Sequence, residues 1–152
     1  MDAKKVSRAE GIAIVGGLLL ALGLFLSWYH AKTTNTTLGG HRGPVTLSGW
    51  EVHTTLRYLL ILAAAAPIIL TYIVVRGHAL SWPRGEVTAI VAIFAFGLIV
   101  YNSFLAKPGE PRGEVTLQIG VFVSLLGTIA MLTGAASRTS ESGRARRPPG
   151  VL

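Results

Sequence analysis

The chain has 152 residues, 51% of them hydrophobic and only 14% charged, with a formal net charge of +7. An ordinary soluble domain is about 25% charged, and the shortfall here is concentrated in four stretches that hold no Asp, Glu, Lys, Arg or His: Gly11–Tyr29, Tyr58–Val75, Val87–Ala106 and Val115–Ser137. The absence of cysteine excludes disulfides, thiol catalysis, iron–sulfur clusters and thiolate zinc sites.

Each stretch has about the ~20 residues that a helix needs to cross ~30 Å of hydrocarbon at ~1.5 Å per residue. A soluble core of this size has no room to bury four of them. The expected fold is therefore all-α integral membrane, a four-transmembrane-helix antiparallel bundle over residues 1–137, with helices at about 10–29, 49–75, 86–106 and 114–137. The first helix follows Lys4, Lys5 and Arg8 and opens on Ser7-Arg8-Ala9-Glu10, a capping box. Its apolar part exceeds that of a secretory signal, and Trp28-Tyr29-His30-Ala31 is no small-x-small cleavage site, so a retained anchor is expected.

The outer loop, residues 30–48, contains TTNTTLGGHRGPVTLS. Thr and Val favour strands and GGHRGP is turn chemistry, so either a hairpin pairing Thr33–Leu38 with Val45–Leu47 or an irregular loop fits. Ser48-Gly49-Trp50-Glu51 is a second capping box, which starts helix two near Gly49 and makes it ~40 Å long, with a kink expected at Pro67. PRGEVT occurs at Pro83–Thr88 and again at Pro111–Thr116. We read both copies as helix entrances, with proline ahead of the helix and a glutamate for the positive end of its dipole; an old duplication is the alternative reading. From Arg138 to Leu152 the chain is Ser-, Arg- and Pro-rich without apolar period, and a disordered basic cytoplasmic tail is expected.

Nine basic residues (Lys4, Lys5, Arg8, Arg76, Arg84, Arg138, Arg144, Arg146, Arg147) fall on one side of this topology and five (Lys32, Arg42, Arg57, Lys107, Arg112) on the other. That bias puts both termini in the cytoplasm of a bacterial plasma membrane, and it assigns the net charge to a membrane surface rather than to nucleic acid. Trp28, Trp50, Arg57 and Trp82 stand near the ends of the apolar runs, where interfacial placement is expected.

In lipid, small residues let helices approach. Helix four carries Gly120, Ser124, Gly127, Met131 and Gly134 at heptad spacing, and helix one carries Ala13, Gly16, Leu20, Gly23 and Ser27. These are the candidate helix-packing faces. No ionisable group lies within the runs, which argues against proton relays and ion pathways. His30, His41, His53 and Glu51 share the outer side and suit zinc or copper by ligand type, without a recognised ligand spacing. Interfacial polar residues around Trp50 are the plainer reading of the same set. Neither G-x-S-x-G, nor a P-loop, nor G-x-G-x-x-G occurs, and no catalytic residue or cofactor is expected.

Leu24-Phe25-Leu26-Ser27-Trp28-Tyr29, the Gly/Thr loop, Leu47-Ser48-Gly49-Trp50-Glu51, Tyr101-Asn102 and Lys107-Pro108-Gly109-Glu110 come in an order that resembles a broad set of small uncharacterised four-helix membrane proteins of actinobacteria. In that set an FLPWY-like end of helix one and an SGWE-like start of helix two recur; Ser27 stands where the set often has proline. The outline is also similar to the claudins, whose paired cysteines this chain lacks. The resemblance implies a membrane bundle and no assigned activity. The expected function is a non-enzymatic integral membrane protein, an accessory subunit or structural protein assembling with other membrane proteins or itself through its glycine faces. Two alternatives stand beside it: binding or transport of an apolar or lipid ligand between the helices near Ala64 and Ala65, and metal binding on the outer face.

Overall fold

The structure, a computed structural model, describes residues 7–76 and 84–145. Trp82, read above as interfacial, and His78 lie outside the described residues. Four helices are long and apolar enough to cross a membrane, at Arg8–Phe25, Leu56–Val75, Gly85–Leu105 and Ile119–Arg138, consistent with a multi-pass membrane protein. Large apolar side chains such as Leu18, Leu22, Leu62, Phe94 and Phe122 point outward and stay exposed, as a bilayer requires and water penalises.

Helix α1 (Arg8–Phe25) opens on the expected capping box: Ser7 N–H donates to Glu10 Oε2 (2.9 Å) and Glu10 N–H to Ser7 Oγ (3.3 Å). It ends sooner than expected. Leu26 is extended, and Ser27–Ala31 forms strand β1. The Trp28 indole Nε1–H donates to the Gly23 carbonyl (2.8 Å), an acceptor in the last turn of the helix. Trp28, read above as interfacial, thus packs inside the protein rather than facing outward. It is fully buried, and a Cβ on Gly49 or on Gly120 would each come within 2.5 Å of its ring.

The first loop is β-rich, but its pairing differs from the expected hairpin. β2 (Thr37–Leu38) pairs with β3 (His41–Arg42) across Gly39-Gly40, both at positive φ (55° and 82°), the conformation that a two-residue hairpin turn demands and glycine supplies. β4 (Val45–Ser48) pairs instead with β1, Tyr29 opposite Leu47 and Ala31 opposite Val45, with a bulge at Trp28. β5 (Val115–Leu117) pairs with the other edge of β1, giving the order β4-β1-β5. One sheet therefore draws on both loops at this end of the bundle, and Thr37 forms a further bridge to Glu110.

Helix two is not continuous from Gly49. The capping box at Ser48 and Glu51 is present, yet it starts a four-residue helix, α2 (Gly49–Val52). The chain breaks at His53 and resumes as α3 (Leu56–Val75), which runs through Pro67. The break turns the His53 ring onto Tyr29, and the β-branched pair Thr54-Thr55 has little helix propensity to oppose it.

The two PRGEVT copies have different structures. Arg84–Thr88 is the beginning of α4 (Arg84–Val100). In the second copy Pro111 is extended, Arg112–Glu114 is a 3-10 turn, and Val115-Thr116 belongs to β5. The helix entrance expected at Glu114 lies at Ile119, where α5 (Ile119–Ala145) starts. Val and Thr fit a pleated strand where the edge of β1 offers pairing. In the first copy Thr88 is instead buried where α1, α3, α4 and α5 converge. Helix α5 also continues to Ala145, so the tail expected to be disordered from Arg138 begins as helix.

Around the bundle, α1 packs on α5 and on α3, α4 packs on α5, and α3 touches α4 more sparingly. The α1–α5 contact is a glycine zipper. A Cβ on Gly16 would lie 2.5 Å from Met131 N, one on Gly127 2.5 Å from Leu20 N, one on Gly23 2.7 Å from Ser124 N, and one on Gly134 2.7 Å from Ala13 N. These are backbone atoms, so only glycine permits the approach. Every small residue read as a packing face is consumed inside the chain, Gly120 against Trp28 and Gly23 included.

Candidate functional site

Three places carry the chemistry of the described residues: a polar cluster under the sheet, an ion pair at the opposite end, and an apolar groove between them.

Under the sheet, the Tyr29 hydroxyl bonds His53 Nε2 (2.9 Å) and donates to the Asn102 carbonyl (3.4 Å). Trp28 and Tyr29 each set their rings edgewise to His53, with centroids 5.6 Å away. Burial pushes the His53 imidazole down to about 4. Burial likewise raises the Tyr29 phenol to about 12, with the Ser103 hydroxyl nearby pulling the other way. Ser103 is fully buried and its Oγ makes no hydrogen bond of good geometry. It stands on a π-helical turn, Tyr101–Leu105, closed by Ala106 N–H on the Tyr101 carbonyl (2.8 Å); Asn102 Nδ2–H donates to the Leu98 carbonyl (2.8 Å) within the widened turn.

At the opposite end, where α1 begins, Glu10 is 3% exposed and forms an ion pair with Arg138. Thr71, Thr88 and Pro67 surround the pair, with a void of ≈ 10 Å³, about the space of one water. The sequence reading treated Glu10 only as a helix opener and missed this pairing. Its signal was present: the α5 seam at 127, 131 and 134 continues to 138, and the α1 seam at 20, 16 and 13 continues to 10. Antiparallel seams bring those ends together.

Between α3 and α4 runs a lateral groove of ≈ 590 Å³. Ala63, Ala66 and Ala95 line it beside the larger Leu59, Leu62, Ile69, Ile90 and Phe94, and every lining side chain is apolar. It spans Leu59 to Leu70 on one helix and Val87 to Leu98 on the other, ~16 Å along each at ~1.5 Å per residue. It lies within two of the four helices that are long and apolar enough to cross a membrane. Alanines where leucines would close the gap leave the volume open. Ala64, expected beside a ligand, packs against Gly17 of α1 instead.

The residues weighed as metal ligands do not gather as a set, although His41 lies near enough to Glu51 for their charges to interact. His30 Nδ1 bonds Thr46 Oγ1 (2.8 Å), His53 faces Tyr29, and His41 is exposed on β3. Glu51 accepts from Ser48 N–H and Oγ–H (both 2.8 Å), which lowers its carboxyl pKa. Among the described residues no three of His, Asp and Glu converge to hold an ion. Trp50 is half-buried, stacked on Phe25 at 5.1 Å, and Arg57 lies over its ring. No protein-family model, curated protein or solved structure matches this chain.

Proposed function

We propose that this is an integral membrane protein that binds an apolar chain of a membrane lipid in the groove between α3 and α4. The observation that carries the reading is the open, wholly apolar volume of ≈ 590 Å³ between two helices apolar enough to span a membrane, in the range of small-molecule sites. A bilayer supplies flexible chains beside such helices. A partner helix fits less well, because close approach of helices needs small residues at the contact, and here large residues stand beside the alanines. Assembly through the glycine faces, the other reading of the sequence, would require surfaces that α1 and α5 already use on each other. The charge bias of nine basic residues against five supports a bacterial plasma membrane setting with both termini cytoplasmic.

The test is lipid retention through detergent purification, read by native mass spectrometry. Ala66→Phe fills the groove and should abolish the tightly held lipid. Val15→Phe, on the exposed face of α1, should leave it in place. Equal retention by Ala66→Phe and the wild type would sink the reading.

A further inference from the structure

Arg57 presents a charge that the described residues do not neutralise. Among the described residues no carboxylate lies within ion-pair distance of it. It sits in the first turn of α3, where the helix dipole is already positive. That turn holds no acidic residue, and Thr55 makes no side-chain cap. The guanidinium is instead built into an aromatic platform, 5.1 Å from the Trp50 ring centroid and 4.8 Å from that of Tyr58. Nη1 donates to the Trp50 carbonyl (3.3 Å) and Nη2 to the Tyr58 hydroxyl (3.1 Å). Arginine has five N–H donors. Nε–H is buried without a partner, and two Nη hydrogens remain for an acceptor from outside the chain. Tyr58 and Phe25, the outer members of the platform, are more than half exposed. Arg57 is the second residue of an apolar span, Leu56–Val75, the position at which a membrane-spanning helix meets the headgroups.

We infer that Arg57 binds a phosphate oxygen of a phospholipid in the leaflet on the sheet side. The phosphodiester supplies the missing counter-charge, offsets the positive end of α3, and accepts from the two free Nη hydrogens. Trp50 and Tyr58 hold the guanidinium flat and leave its edge for the anion. This site stands independently of the groove, since it reads the headgroup and the groove reads a chain.

The test uses the full chain in micelles loaded with either phosphatidylglycerol or a diacyl glycolipid of the same acyl chains without phosphate, with retained lipid counted by native mass spectrometry. Matched chains make the groove contribute equally to both. The wild type should retain phosphatidylglycerol about tenfold over the glycolipid, equivalent to about 1.4 kcal/mol. Arg57→Gln should lose that preference, and Arg57→Lys should keep part of it. Equal retention of the two lipids by the wild type, or an undiminished preference in Arg57→Gln, overturns the proposal. If excess inorganic phosphate strips the lipid, the site recognises free phosphate and the headgroup assignment fails. Should Arg57→Gln not fold, the wild-type comparison and Arg57→Lys decide.

Discussion

Replacing Gly127 by alanine adds one methyl group to α5, and the geometry says where it goes. The new Cβ would lie 2.5 Å from Leu20 N and 2.7 Å from the Gly16 carbonyl oxygen, both backbone atoms of α1. Neither can swing aside as a side-chain tip would, so the helices must separate, at about 1–3 kcal/mol for one overpacked methyl group. Alanine also gains about 1 kcal/mol of helix propensity over glycine, which would mask part of the loss. Gly97, in the last turn of α4, provides the reference: a Cβ there meets nothing within 4 Å. Gly97→Ala gains the propensity alone, and the difference between the two variants isolates the packing at about 1–3 kcal/mol. Unfolding of each purified variant by sodium dodecyl sulfate in mixed micelles, followed by far-UV circular dichroism, measures that difference. If Gly127→Ala is as stable as Gly97→Ala, the glycine zipper is not what holds α1 to α5.

Glu10→Gln leaves the Arg138 guanidinium without its buried anion and should cost about 3–5 kcal/mol, whereas the double variant with Arg138→Met should recover part of the loss; additive effects in the same unfolding assay would deny the coupling. His53 predicts a pH dependence with a definite sign. Its folded pKa of about 4 lies below the ordinary 6.5, so above 6.5 neither state takes up a proton, and between 6.5 and 4 only the unfolded state does. Stability should fall by up to about 3 kcal/mol across that window as pH drops, and His53→Gln should flatten the slope. A slope unchanged in His53→Gln would contradict the burial argument. Gly49→Ala drives a Cβ to 2.5 Å from the buried Trp28 ring and should change the intrinsic tryptophan emission, while Gly113→Ala, with open space around it, should not.

Much of the fold was legible in local chemistry. Both capping boxes form as read, at Ser7 with Glu10 and at Ser48 with Glu51, because a serine and a glutamate three residues apart need no tertiary partner to satisfy each other. The heptad seams were legible too, since glycine spacing on a helix is geometry along a single chain. Their use was not. The same spacing would serve a second chain, and only the three-dimensional meeting of Gly16 with Met131 and of Gly127 with Leu20 shows that the partner is internal. A ligand between the helices was among the readings, but its place was not legible: it was set near Ala64 and Ala65, whereas Ala64 packs on Gly17 and the open volume lies over Ala63, Ala66 and Ala95; whether the space over an alanine is filled depends on a neighbour that the sequence does not name.

What the sequence determined by itself is set by lengths and periods. Four charge-free runs of about 20 residues require four apolar helices, whatever their neighbours. What only the tertiary structure decided is where the backbone has a choice of hydrogen-bonding partner. Trp28-Tyr29 and Val115-Thr116 were read as helix from their apolar surroundings, and both are strand. They lie at the ends of helices, where the cost of leaving α geometry is small, and each finds its hydrogen bonds in the other's segment, Tyr29 opposite Leu117 and Ala31 opposite Val115. PRGEVT makes the same point with its six letters held constant. One copy is followed by helix because it enters the bundle, and the other passes into strand because it reaches the edge of β1.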